Sequence, residues 1–142
     1  MSDSKDGSGG APSEEQLRAL VEVVSIVAYA DGALAADEER LLGVRVAELA
    51  PEADPTWISR VLPAVRPPSR PPKAWRGERL GELGELLQSE ELRHKAFAIG
   101  VEVAQVEGGI GRREISTLAS AAEQLGVDAK TALALLAAAE RD

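Results

Sequence analysis

A chain of 142 residues with a net charge of −8 and no cysteine fits a single domain, and it excludes disulfides, thiol catalysis and zinc sites built on thiolates. Hydrophobic residues make up 44% of it and aromatic ones only 3%, so the core is to be built from Ala and aliphatics, which favours close-packed helices over a β-sandwich. The acidic balance argues against nucleic acid as a partner, and with no leader-like or spanning run the expected location is cytoplasmic, without direct membrane insertion.

Residues 1–12 are Gly, Ser and charge and read as a disordered tail ahead of a domain over 13–142. Ser13 and Gln16 have the spacing of a capping box, with Glu14 and Glu15 where the helix dipole favours acids. From there Leu17, Leu20, Val21, Val24, Val27 and Ala28 recur at helical spacing, and Val23 and Ile26 widen the stripe, so this helix is to be buried on more than one side. Asp31-Gly32 breaks it. A second helix runs from near Ala36 to Pro51, with Leu41, Leu42, Val46 and Leu49 facing inward. Asp54-Pro55 predicts an N-cap followed by a short helix through Trp57, Ile58, Val61 and Leu62, stopped by Pro63. The Pro/Arg-rich stretch 63–76 is expected to be an extended, polyproline-like connector. Leu80, Leu83, Leu86 and Leu87 mark a helix weakened by Gly81 and Gly84. Ser89 caps the next, which ends at Glu107-Gly108-Gly109. Ile115, Leu118, Ala122 and Leu125 mark another, closed by Gly126. Asp128 caps a last one. The fold class is all-α, a compact bundle of about six or seven helices.

The chain repeats itself at an offset of 76 residues. Val27-Ala28 falls on Val103-Ala104, Gly32 on Gly108, Glu38 on Glu114, Leu42 on Leu118 and Leu49 on Leu125. Two pseudo-symmetric helix-turn-helix repeats that pack their apolar faces together are the simplest outcome. AYADGALAADEERLL (28–42) and VAQVEGGIGRREISTLASAAEQLGV (103–127) resemble the two signature halves of the TerB-like superfamily, which includes tellurite-resistance TerB proteins and the N-terminal domain of DjlA-type membrane co-chaperones. The resemblance covers about residues 15–140 without the connector. It implies a non-enzymatic helical domain in bacterial stress response, linked to protein partners that include membrane-associated ones. It also implies cation-binding acids around the turns, which carry over to Asp31, Glu38, Glu107 and Glu114. Glu107 replaces the usual Asp, and Ala35 and Gly111 stand where a Ser or Thr cap is common.

Asp31, Gly32 and Glu38 match the second half of an EF-hand loop, but Val27 and Tyr29 occupy its first two ligand positions, so a calcium site of that kind is too poor in oxygen. A divalent cation held by Asp31, Asp37, Glu38, Glu107 and Glu114 across both turns is the alternative function. The simpler role of Glu38 and Glu114 is to cap helices. Glycines and arginines over 108–114 have the makings of an anion-binding helix start, without the Lys-Ser/Thr of a P-loop. His94 is placed on a polar helix face beside Arg93 and Lys95, with no nucleophile at a catalytic spacing, so no enzyme is expected. Arg66, Arg70, Lys73 and Trp75 on the connector are candidate partner-docking residues. The function expected is an interaction or sensing module that docks electrostatically to protein partners.

Overall fold

Helix α1 (Glu14–Ala28) starts at the expected capping box: the Gln16 amide donates to Ser13 Oγ at 3.1 Å, and the Ser13 amide to Gln16 Oε1 at 2.9 Å. From Ala19 to Ala28 every residue of it is buried. The computed structural model describes residues 12–28, 35–51, 54, 56–65, 73–106, 110 and 112–139, with only the backbone for Lys73 and residues 112–114. The expected tail thus lies outside the described residues, apart from Pro12. After α1 come α2 (Ala36–Leu49), α3 (Trp57–Val65), α4 (Lys73–Leu87), α5 (Glu90–Ala104), α6 (Arg112–Leu125) and α7 (Ala129–Ala139). The described residues contain no β-strand, and none of their helices is long and apolar enough to cross a membrane.

Most of the signals read from sequence act as caps. Ser89 Oγ accepts from the Leu92 amide at 3.0 Å, Asp128 Oδ2 from Thr131 at 3.1 Å and Asp54 Oδ1 from Thr56 at 2.9 Å. Gly126, at φ +97°, ends α6 in a Schellman turn: the Val127 amide donates to the Ala122 carbonyl at 2.9 Å and the Gly126 amide to that of Glu123 at 3.2 Å.

The repeat is carried helix for helix. α1 and α5 both have 15 residues and α2 and α6 both have 14, each second copy lying 76 positions after the first. α1 and α5 pack against each other along the centre of the bundle, and α3 lies on α1 as α7 lies on α5. At their crossing a Cβ on Gly100 would sit 3.0 Å from Val27 Cβ, so the glycine sets the spacing of the two central helices. α4 has no counterpart in the first half. It packs on both α1 and α6, while α2 rests on α5, so the neighbours of α2 and α6 differ. Leu20, Leu42, Leu80, Leu83, Leu87 and Phe97 are fully enclosed between these layers, each worth roughly 1.5–3 kcal/mol of apolar burial.

The connector is shorter than expected. α3 does not stop at Pro63 but continues to Val65. Proline removes one amide donor, and Ser59 and Pro63 are both exposed, so water can serve the freed carbonyl while Val61 and Val65 anchor the last turn in the core. α4 begins at Lys73, immediately after the last proline of the run. Residues 63–65 and 73–76 are therefore helical, and 66–72 lie outside the described residues.

α4 and α5 meet in an abrupt junction. Gln88 adopts φ 66°, and the Leu87 carbonyl accepts from Gln16 Nε2 at 3.0 Å. A side chain in this left-handed region is strained by about 1 kcal/mol. Gln88→Gly is expected to raise stability by about that amount, read as a higher urea midpoint at unchanged m-value.

Candidate functional site

The acidic start of α2 is built by its own helix. Ala35 occupies the N-cap in extended geometry and has no side-chain acceptor to offer. Glu38 supplies the other half of the box: its Oε1 accepts the Ala35 amide at 2.6 Å. Asp37 pairs with Arg40 at 3.1 Å, with both side chains largely exposed. Asp37, Glu38 and Glu39 place three acids at the positive end of the helix dipole. The carboxylates that sequence marks as ligands are thus in part committed to the helix they begin.

Of the other candidates, Asp31 and Glu107 lie outside the described residues, and Glu114 is the third residue of α6, of which only the backbone is described. Among the described residues no group of three or more His, Asp or Glu side chains converges on a point. Arg66 and Arg70 lie outside the described residues, as do Gly108 and Gly109 of the candidate anion site. Trp75 is in the first turn of α4, half-buried and packed on the core. It is not displayed on an extended segment, because the helix starts before it and turns its ring inward.

His94 also departs from expectation. It is half-buried, and its Nε2 is enclosed without a hydrogen-bond partner. α7 covers this part of α5, so that His94 lines a cleft with Thr131 and Leu135. Neighbouring Arg93 reaches back to α4, where its Nη1 donates to the Gly84 carbonyl at 3.0 Å.

Two arginine–glutamate pairs escape any reading of the sequence. Arg79 on α4 grips Glu22 on α1 through Nε at 2.6 Å and Nη2 at 2.8 Å, and also bonds Glu82 at 2.7 Å. Arg45 on α2 grips Glu102 on α5 with Nε at 2.9 Å and with Nη2. Each pair joins residues 57 apart in sequence, and only the amphipathic edge of the helices could have hinted at them. The hydrogen bond from Arg45 holds the Glu102 carboxyl below its ordinary 4.5, against the opposing pull of burial and helped by the arginine charge. A folded-state value below the unfolded one means that this contribution is in place above about pH 4.5 and fades as pH falls through the lower value. Glu102→Gln is therefore expected to flatten the acid limb of a Tm-against-pH profile below pH 4.5, and an unchanged limb would refute the linkage.

In comparisons with known proteins, no family model, no curated protein and no solved structure matches the chain.

Proposed function

We propose that the chain is a non-enzymatic interaction module of the TerB-like kind, working in a bacterial stress response such as tellurite resistance. It acts in the cytoplasm by electrostatic docking to protein partners, including membrane-associated ones. The observation that carries this reading is the helix-for-helix repeat at 76 residues, the arrangement that the two signature halves of that superfamily imply. The rival reading is a divalent-cation protein using the paired acidic turns. The engagement of Glu38 by the Ala35 amide and of Asp37 by Arg40 favours docking. Acids held as caps and surface pairs present negative charge to a partner without converging on an ion.

The test is capture of partners from the source cells at low and high ionic strength, with the native chain and with Asp37→Lys/Glu39→Lys. Charge-driven docking predicts partners retained at low salt and lost both at high salt and on reversal. A partner set indifferent to salt and to reversal overturns it. Amide NMR during titration with calcium, zinc and manganese separates the rival: saturating shifts through the first turn of α2 would assign the turns to a cation.

A further inference from the structure

Leu133, on α7, is 57% exposed, the most open large hydrophobic side chain among the described residues. The rest of the outward face of α7 is Ala129, Ala134, Ala137 and Ala138, with Lys130 as its only charge. α3, which holds the matching place in the first half, turns Ser59, Arg60, Pro63 and Ala64 outward instead, so the fold does not itself require so apolar a face. Beside Leu133 lies a groove of about 570 Å³ between α6 and α7, walled by Ala119, Ser120 and Ala132, with Glu123 as the one charged residue lining it. α6 and α7 form an antiparallel hairpin, since the Ile110 amide just ahead of α6 donates to the Ala139 carbonyl at the end of α7 at 3.2 Å. Residues equally far before and after the Gly126–Val127 link therefore stand at the same height. Glu123 is thus level with Lys130, Ser120 with Leu133 and Ser116 with Ala137.

We propose that this face joins a second copy of the chain in a two-fold dimer, with α7 of each copy lying antiparallel on α6 of the other. A two-fold interface has to be self-complementary, and an axis running along the groove makes this one so. Such an axis keeps every height and exchanges the two walls. Leu133 then enters the partner's groove beside the partner's Ser120, Lys130 meets the partner's Glu123, and Ala137 meets the partner's Ser116. Each contact is made twice, a large side chain into a small-walled trough and a base onto an acid. With Glu123 and Lys130 level on its two walls, the face favours neither a purely basic nor a purely acidic partner. The chain charge of −8 opposes association, and helices of about 21 and 17 Å side by side offer less than the roughly 800 Å² per partner of a standard interface. The dimer is therefore weak, with a Kd of about 10–500 µM at about 0.15 M salt. It is independent of the interaction-module reading and of the acids on α2.

The experiment is sedimentation equilibrium of the full chain over a concentration series up to about 1 mM. The native mass is expected to rise from 14.9 kDa towards twice that value. Leu133→Glu, and independently Ser120→Trp, which plugs the trough from an exposed position, are each expected to raise Kd at least tenfold, at unchanged far-UV circular dichroism. Lys130→Glu and Glu123→Lys are each expected to raise it about five- to thirtyfold, because each reversal opposes two like charges twice in the dimer. The double variant Glu123→Lys/Lys130→Glu restores both pairs and is expected to return to within about threefold of the native Kd. A chain that stays monomeric throughout the series overturns the proposal and leaves the face to a different protein. A dimer indifferent to both Leu133→Glu and Ser120→Trp forms through another surface and overturns it too. So does a double variant no tighter than its single parents, because the walls then do not exchange as the two-fold axis requires.

Discussion

Gly84→Ala is expected to lower stability by about 2–3 kcal/mol, although Ala is worth about 1 kcal/mol more than Gly inside a helix. A Cβ at this position would lie 2.4 Å from the Leu125 carbonyl oxygen and 3.4 Å from Arg93 Cδ. The oxygen belongs to the last turn of α6, which is fixed by the Schellman turn at Gly126. No flexible side chain can give way, so α4 must separate from α6. The Gly84 carbonyl also receives Arg93, and that bond would be strained by the same movement. Gly43→Ala is the matching control. A Cβ there meets nothing within 4 Å, so the propensity gain is expected to appear undiminished, up to about 1 kcal/mol. Urea denaturation of both variants reads the contrast, and a Gly84 variant as stable as the native chain would contradict the close approach.

Arg79→Ala is expected to cost about 2–4 kcal/mol. Its partner Glu22 is 8% exposed, in the buried stretch of α1, and loses both hydrogen bonds at once. Removing one member of a buried pair costs about 3–5 kcal/mol, and the lower figure allows for water entering where Arg79 is a third exposed. The reverse deletion is not equivalent. In Glu22→Leu the arginine keeps Glu82 and access to water, so the loss should be smaller. The double replacement by Leu and Met should regain most of the stability lost in Arg79→Ala, because paired charges can be exchanged for apolar packing at little cost. Thermal unfolding of the cycle decides it, and a double variant no better than Arg79→Ala would show that the charge was not what Arg79 served.

Local signals were legible in the sequence wherever the chemistry is local. Ser13 with Gln16, Asp54, Ser89, Gly126 and Asp128 each act within a few residues of themselves, and spacing reveals them. The repeat was legible because its two halves share helix lengths as well as residues. Pro63 does not end α3 as its residue type predicts, because its effect depends on whether the Ser59 carbonyl meets water, which is a matter of burial. Gly84 looked like a weakness in α4 because its use lies across the bundle at Leu125. Trp75 and His94 read as open surface from sequence, but Trp75 packs on the core and His94 lies beside Thr131 and Leu135 of α7, which no local spacing reveals. Within the candidate acidic site, the role of Glu38 as a cap followed from its distance to Ala35 along one helix. The Glu22–Arg79 and Glu102–Arg45 grips had no local signature, since any of several arginines could have met either acid.

The burial of α1 has a consequence for synthesis. Its ten consecutive enclosed residues find their main cover in α5, whose residues follow 76 positions later. At about 5–20 residues per second, the ribosome needs roughly 4–15 s to supply that cover. During this interval the most deeply buried of the described helices has left the tunnel with only α2, α3 and α4 to shield it. The nascent chain is therefore most prone to aggregation, and most dependent on chaperones, in the interval before α5 emerges.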